Sequence, residues 1–395
     1  MNRFEEMQET HDEYFPIYES IVHKNTSSGE NGNMLKEFVI DRIGSKKGIR
    51  GYVLRKMHEL VGGDWREVLP IISAVEMHLA SMYCFNVAAD NKAGYDTEIK
   101  RKLAFETKGI TFGLALDLIS QGNLSSEKAG RVKELFIDTD KTFYEGETLD
   151  LLSNTFPVLE PENKEIKERY GLEPDQARET LDWFSKSSLE EKLLYRTYGI
   201  NAALFENLGN IVGVLNKLGK NQFGALASFG KNYGLAMQII NDVQDYSLDL
   251  TDETTREKSN SDVFSDLKER KITWPIMYHG DLTSVPFGNL GYAKHDAFRE
   301  TLCKNGALKR CVLEAMAYSK KAMNNLSNFP EGDSKKKLKD AAFSISGLSK
   351  YVRLLEERYD VRLVSSKNDV NQRVEELMLI TNEPKGELDL TQQLQ

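Results

Sequence analysis

The stretch Gly234-Leu-Ala-Met-Gln-Ile-Ile-Asn-Asp-Val-Gln-Asp-Tyr246 contains polar and apolar residues at helical spacing. Its polar residues are three or four positions apart, so a helix places them on one face. They are Gln238, Asn241, Asp242 and Asp245. The apolar residues of the other side, which we expect to face a core, are Leu235, Ile239, Ile240 and Val243. An acidic helix face alone is typical of a solvated surface, but clustered carboxylates also suit a hard cation such as Mg²⁺.

The composition of the chain limits the classes of function. With 395 residues, 40% of them hydrophobic and only nine of them proline, the chain can bury a large helical core. The net charge of −9 argues against nucleic-acid binding as the main role. Cys84, Cys303 and Cys311 form no CxxC pair, which suits a reducing cytosol and predicts neither disulfides nor a zinc site. Because no signal region or run of bilayer-spanning length is evident, we expect a cytoplasmic protein without an integral membrane segment.

Apolar residues recur at helical spacing along most of the chain, and no alternating strand pattern occurs. We therefore predict an all-α fold. Its parts are an N-terminal helix and loop over residues 1–33, a helical domain over 34–364 and a polar C-terminal tail over 365–395. The apolar run Trp65–Ala89 is expected to be a buried central helix, and residues 219–225 are expected to be a turn.

Further helices are predicted on either side of the acidic stretch. Ser188 followed by Glu191 indicates a capping box that opens a helix over residues 189–218. Two more helices are expected at residues 296–326 and 335–357.

The acidic stretch resembles the second aspartate-rich motif of the trans-isoprenyl diphosphate synthases, whose pattern is Gly-x-x-x-Gln-x-x-(Asn/Asp)-Asp-x-x-Asp. The segment Asp266-Leu-Lys-Glu-Arg-Lys-Ile-Thr-Trp-Pro275 is similar to the family's Asp-Leu-x-x-x-Lys-x-Thr-x-Pro. Two linked patterns in the right order are a specific signal, and the resemblance extends over about residues 40–355. It implies a single-domain bundle of long antiparallel helices around a central cavity.

The resemblance assigns metal ligands to the acidic stretch. Asp242 and Asp245 correspond to carboxylates that hold Mg²⁺ in the family. Asn241 corresponds to a metal-site position that accepts either Asp or Asn.

The resemblance also assigns catalytic residues. Gln238 matches a residue that stabilises the developing carbocation, and Lys271 matches a lysine that binds the substrate diphosphate. Arg196-Thr197 fits the family's Lys-Thr pair, with arginine in place of lysine. Arginine keeps the charge but presents a planar fork, which changes the geometry of diphosphate binding.

The first aspartate-rich motif is degenerate in this chain. Ala74-Val-Glu76 resembles the sequence that leads into it, but Asn86 and Val87 stand where adjacent aspartates belong. Of the acidic residues only Asp90 survives as an expected metal ligand. His78 lies one residue from the family's histidine and is assigned to substrate binding.

The acceptor side of the site is matched in part. Lys47-Gly-Ile-Arg50 resembles the family's Gly-Lys-x-x-Arg-Pro, with Gly51 at the proline position, and implies substrate binding by Lys47 and Arg50. Gly146-Glu-Thr-Leu-Asp150 is similar to Gly-Gln-x-x-Asp. We expect Glu147, which replaces the glutamine, to be solvated or paired rather than a substitute metal ligand.

The resemblance implies a prenyltransferase that ionises an allylic diphosphate with Mg²⁺ and condenses it with the homoallylic isopentenyl diphosphate. Two alternatives stay open because the first motif is lost. In the first alternative the chain is a catalytically impaired regulatory subunit of a heteromeric prenyl diphosphate synthase. In the second it is a terpene cyclase-like class I enzyme. Because the family pairs its subunits, a homodimer or a heterodimer with a related synthase is expected.

Overall fold

The computed structural model describes residues 3–25, 36, 39–40, 48–89, 98–152, 187–247, 263–346 and 349–382. These residues form helices and no strand, which confirms the all-α prediction. In chain order the helices are α1 (Arg3–Asn25), α2 (Ile49–Leu60), α3 (Leu69–Ala89), α4 (Glu98–Gln121), α5 (Ser126–Leu152), α6 (Leu189–Thr197), α7 (Ala203–Asn216), α8 (Lys220–Gln244), α9 (Ser265–Lys268), α10 (Trp274–His279), α11 (Tyr292–Lys304), α12 (Ala307–Asn325), α13 (Asp333–Ser346), α14 (Ser349–Tyr359) and α15 (Lys367–Asn382). Short 3₁₀ turns at Trp65–Val68 and Leu282–Ser284 and a π-helical turn at Tyr198–Ala202 complete the order.

Helix α8 carries the acidic stretch and packs against α7 and α12, while its C-terminal end also contacts α10. The apolar face predicted for α8 is buried; it comprises Leu235, Ile239, Ile240 and Val243. Gly230 of α8 lies against the backbone of α7 at Phe205, where a Cβ atom would collide with the carbonyl oxygen. This close approach fixes the axis of α8 and therefore the place of the acidic face at its end.

Helix α3 is the buried helix that the run Trp65–Ala89 predicts. The expectation that no run reaches bilayer-spanning length is wrong, because this segment is long and apolar enough by length and composition. However, 72% of its most apolar window is buried inside the fold, and the helix contacts α1, α2 and α4. In the described part of the chain this segment is therefore a core helix.

The predicted turn at residues 219–225 is wrong. Helix α8 already begins at Lys220, and the connection from α7 comprises only Lys217, Leu218 and Gly219. Lys217 ends α7 with a left-handed backbone, at φ 51°, which reverses the chain at once. Gly224 lies inside the helix, where packing of the neighbouring residues outweighs its low helix propensity.

The three other predicted helices are present, and two of them are interrupted within the described residues. The one over residues 189–218 contains the π-helical turn at Tyr198–Ala202. The one over residues 296–326 corresponds to α11 and α12, which are separated where Gly306 adopts φ 84°. The one over residues 335–357 corresponds to α13 and α14. Periodicity identified the helical regions and missed the local breaks, because these depend on single residues.

The capping box at the start of α6 is confirmed. The backbone N–H of Glu191 donates to Ser188 Oγ at 3.2 Å, and the backbone N–H of Ser188 donates to Glu191 Oε2 at 2.7 Å. The box fixes the start of the helix that carries Arg196.

Both ends of the described chain pack onto the helical bundle. Tyr14 and Tyr18 of α1 are buried against the helices around α3. At the other end, α15 packs on α12 and buries Val370 and Val374. The predicted division at residues 33 and 365 remains a prediction.

Candidate functional site

The acidic end of α8 lies in a buried cluster of charged side chains, which we call the polar cluster. Asp242 is 3% exposed and Asp245 is 7% exposed. Arg196 comes from α6, Asp150 from the end of α5, and Lys271 from the segment between α9 and α10; all three are buried. Four separate parts of the chain therefore bring their charges together in the interior.

Arg196 and Lys271 share the carboxylate of Asp150. Arg196 donates from Nε to Asp150 Oδ1 and from Nη1 to Asp242 Oδ2, the second at 3.2 Å. Lys271 Nζ lies 2.7 Å from Asp150 Oδ2 and 2.9 Å from Glu269 Oε2. Asp150 is thus held between two cations, and Arg196 connects it to the acidic face of α8.

Both oxygens of Asp242 accept hydrogen bonds from protein groups. Gln238 Nε2 donates to Oδ1 at 3.0 Å. The backbone N–H of Trp274 donates to Oδ2 at 3.3 Å, beside the bond from Arg196. Asp242 therefore links α6, α8 and the start of α10.

Asp245 faces a different set of donors. Its Oδ1 accepts from the backbone N–H of Ser265 at 2.9 Å and from Ser265 Oγ at 2.7 Å. Its Oδ2 accepts from the backbone N–H of Asp266 at 3.2 Å. The side chain therefore fastens the end of α8 to the first turn of α9.

Burial and neighbouring charges shift the pKa values of these carboxyls in opposite directions. Burial alone would raise the pKa of Asp150, but attraction to Arg196 and Lys271 lowers it. Burial raises the pKa of Asp242 despite the attraction of Arg196. Burial also raises the pKa of Asp245, to about 7. Asp150 is therefore the carboxylate that this environment keeps most firmly ionised.

Asp266 adds a further carboxyl to the polar cluster. Burial, together with the negative charges of Asp245 and Asp242, raises its pKa well above the usual range. Carboxyls this close cannot all be ionised without a positive partner.

The described residues do not fit Mg²⁺ in this arrangement. Each oxygen of Asp242 and Asp245 accepts a protein hydrogen bond. The buried guanidinium of Arg196 lies 3.2 Å from Asp242 Oδ2, and its positive charge repels a second cation at that carboxylate. Asn241 is exposed and donates to Gln238 Oε1 at 3.3 Å. Asp90 lies outside the described residues. Among the described residues, no group of three or more His, Cys, Asp and Glu side chains has the arrangement of a metal site.

Thr197 has a positioning role in this geometry. Its Oγ1 donates to the carbonyl oxygen of Leu193 at 2.6 Å and accepts from Trp274 Nε1 at 2.8 Å. Thr197 is fully buried. It joins α6 to α10 directly beside Arg196, so it helps to set the position of the arginine.

The predicted acceptor residues lie elsewhere or outside the described chain. Lys47 falls outside the described residues. Arg50 Nη2 donates to Asn201 Oδ1 at 3.1 Å, and its guanidinium lies over the ring of Phe205. Asn201 in turn donates to the carbonyl oxygen of Gly234, which is about 12 Å along α8 from Asp242. Arg50 is therefore joined to α8 at a different level from the polar cluster.

His78 belongs to a second group, formed by α3, α4 and α5. The ring is fully buried, lies between Phe112 and Phe136 at 5.1 Å from each, and donates from Nε2 to Asp140 at 3.3 Å. Lys108 Nζ binds the other oxygen of Asp140 at 2.8 Å. Sequence reasoning assigned no role to Asp140 or Lys108, because their approach to His78 depends on how three helices pack.

Asp150 belongs to the polar cluster, and Glu269 and Ser265 contact it. Sequence reasoning assigned no role to any of the three. Asp150 could have been found, since it ends the Gly146–Asp150 pattern. Glu147, from the same pattern, is buried and has a partner, in agreement with the expectation that it is paired. Ser265 and Glu269 carry no sequence signal of their own.

Known proteins resemble this chain in sequence and in fold. Residues 102–284 match the family model described as polyprenyl synthetase. A prenyl transferase of Cyanophora paradoxa is 25% identical over 169 residues, which are 42% of this chain and 50% of that protein. The chain thus covers half the length of that relative.

Solved structures of prenyl diphosphate synthases resemble this chain in fold over most of its length. A decaprenyl diphosphate synthase from Rhodobacter capsulatus aligns with a TM-score of 0.66 and 18% identity, covering 87% of this chain and 99% of that one. A polyprenyl synthase from Caulobacter crescentus, in complex with calcium and isoprenyl diphosphate, aligns with a TM-score of 0.64 and 19% identity, covering 85% and 97%. Residues 102–284 are thus similar in sequence to the polyprenyl synthetases, and the described helices have the fold of these synthases.

Proposed function

We propose that the protein is a prenyltransferase of isoprenoid biosynthesis, in which the polar cluster receives the diphosphate of an allylic substrate. The observation that carries the proposal is the convergence of Arg196, Lys271 and Asp242 at the end of α8, from three separate segments. Folding alone does not explain such a group, because the cost of taking charges out of water can exceed what pairing them in the interior returns.

The proposed chemistry is the departure of pyrophosphate from an allylic carbon. The leaving group gains negative charge while a carbocation forms, so fixed positive charges in a dry site stabilise the transition state. Arg196 and Lys271 are two such charges, and both now bind Asp150. A diphosphate that competes with Asp150 would receive the planar fork of the arginine and the point charge of the lysine.

Condensation with isopentenyl diphosphate is part of the proposal, whereas Mg²⁺ dependence remains a prediction from the sequence. The Caulobacter protein binds calcium and isoprenyl diphosphate, which supports an isoprenoid diphosphate as the substrate class. No step is assigned to Mg²⁺, since the described residues do not fit it. The cytoplasmic location and the pairing into a homodimer or heterodimer remain predictions.

A regulatory subunit of a heteromeric synthase is a second candidate. The observation that favours it is that Asn86 and Val87 replace the adjacent aspartates of the first motif, while protein groups cover Asp242 and Asp245. Such a subunit would contribute its fold and its interface rather than turnover.

The test is product formation by the purified full-length chain from allylic diphosphates and isopentenyl diphosphate, with Mg²⁺ and with EDTA. Lys271→Gln is expected to lower the rate about 100-fold, because one charge at the leaving group is lost. Lys220→Gln, an exposed lysine at the start of α8, is the matched control and should retain the full rate. Turnover only after addition of a complete synthase would favour the regulatory subunit, and a cyclic product formed without isopentenyl diphosphate would contradict both candidates.

A further inference from the structure

The polar cluster contains its own positive charge at the place where a divalent ion would have to bind. Asp150 and Asp242 are both buried, and Arg196 contacts both of them. Buried carboxylates require a paired cation, because an uncompensated charge in the interior is costly. Arg196 fulfils that requirement for the pair without an added ion.

The shape of the arginine side chain suits this bridging position. A guanidinium has five N–H donors in a rigid plane, so it binds one carboxylate through Nε and another through Nη1. Arg196 does so with Asp150 and Asp242. A lysine has a single charged nitrogen on a flexible stem. The arginine at this position therefore binds the two carboxylates from separate nitrogens of a rigid plane, whereas a lysine would bind them from one nitrogen.

The remaining oxygens of the pair are also occupied. Lys271 binds Asp150 Oδ2 at 2.7 Å, and Gln238 donates to Asp242 Oδ1 at 3.0 Å. A Mg²⁺ ion at Asp242 would lie beside the buried guanidinium of Arg196, and repulsion between the two positive charges would weaken its binding.

From these contacts we infer that Arg196 replaces the divalent ion at the second aspartate-rich motif, so that Asp242 binds no Mg²⁺ in the native chain. The inference goes beyond the proposed function, because it concerns what neutralises the motif and not which reaction occurs. It predicts that removing the charge of Arg196 creates a metal site between Asp150 and Asp242.

The experiment is titration of the full-length chain with Mn²⁺, with free Mn²⁺ followed by electron paramagnetic resonance. Mn²⁺ prefers the same carboxylate and water ligands as Mg²⁺. The native chain and Asp242→Asn should bind Mn²⁺ equally, because Asp242 does not contribute. Arg196→Gln should bind one additional Mn²⁺, at least about tenfold more tightly than any site of the native chain, because a repelling charge is gone.

Three variants connect the gained site to the polar cluster. Arg196→Lys keeps a positive charge and should gain no binding comparable to that of Arg196→Gln. The double variant Arg196→Gln/Asp242→Asn should lose the gained site. Arg131→Gln, an exposed arginine of α5, is the surface control and should titrate like the native chain.

A native chain that binds Mn²⁺ more tightly than Asp242→Asn would overturn the inference, even if Arg196→Gln fails to fold. The readout is independent of turnover, so the two proposals can fail separately. An inactive chain whose binding does not depend on Asp242 contradicts the proposed prenyltransferase and supports the inference. An active chain whose Mn²⁺ binding depends on Asp242 supports the proposed prenyltransferase and contradicts the inference.

Discussion

Because of Asp150, substitutions in the polar cluster affect the stability of the fold as well as catalysis. Its two oxygens bind Arg196 and Lys271, and all three side chains are buried. Removing any one of them leaves an uncompensated charge in the interior, which typically costs about 3–5 kcal/mol. Loss of activity in such a variant is therefore informative only when its stability is measured beside it.

His78 provides a prediction about pH at the same scale. Burial lowers its pKa, although Asp140 acts in the opposite direction. The folded state thus holds a neutral ring, whereas the ring in the unfolded chain takes up a proton below the ordinary histidine pKa of about 6.5. The contribution of His78 to stability is present above that pH and is lost as the pH falls through the lower folded value.

We therefore expect the melting temperature of the native protein to fall more steeply between pH 7 and pH 5 than that of His78→Gln. The measurement is thermal unfolding over that range. His23→Gln, an exposed histidine of α1, is the control and should retain the native slope. Equal slopes for the native protein and His78→Gln would contradict the assignment of a buried neutral ring.

At the scale of elements, α5 and the π-helical turn meet through backbone atoms. A Cβ atom on Gly146 would lie 2.7 Å from Gly199 Cα and 2.7 Å from the nitrogen of Ile200. Such distances leave no room for a side chain, so the two elements can touch only where both residues are glycine. This contact is one turn from Asp150 and thereby sets the distance between α5 and Arg196.

Gly146→Ala should lower the free energy of unfolding by about 1–3 kcal/mol, because the added methyl group forces the elements apart. Gly130→Ala tests the same change in the same helix with open space around the residue. That control should be neutral or more stable by up to about 1 kcal/mol, since alanine favours a helix. Urea unfolding followed by circular dichroism measures both, and equal effects would mean that the close contact is absent in solution.

Helix positions were predictable from the sequence because side-chain periodicity is a local property. The buried face of α8 and the shared face of Gln238, Asp242 and Asp245 follow from spacing alone. The partners of these carboxylates do not, since Arg196 and Asp150 are 46 residues apart in the chain and meet only through packing. The break at Tyr198–Ala202 was missed for a related reason, because its residues fit a regular helix equally well.

At the scale of the whole molecule, the C-terminal helix is attached to the bundle by a charge pair. Arg373 Nε lies 2.7 Å from Glu314 Oε2, and Glu314 is 3% exposed on α12. Burial raises the pKa of Glu314, and Arg373 opposes that shift. This attachment bears on the predicted boundary at residue 365.

Arg373→Met should lower the free energy of unfolding by about 1–3 kcal/mol, because it leaves Glu314 buried without its charged donor. Arg362→Met, an exposed arginine between α14 and α15, is the control and should change it by less than about 0.5 kcal/mol. Urea unfolding of the full-length protein measures both. No difference between the variants would favour a tail that is independent of the helical domain.

The π-helical turn Tyr198–Ala202 sets the directions in which the side chains of α6 point relative to those of α7. A π turn accommodates one residue more than a regular helix does over the same rise, and one residue advances the direction of a side chain by about 100°. Side chains after the turn, such as Phe205, therefore point about 100° away from the directions that a regular helix continued from Arg196 would give them. Deleting one residue from the turn would make α6 and α7 one regular helix. It would rotate Arg196 away from α8 without changing any polar group.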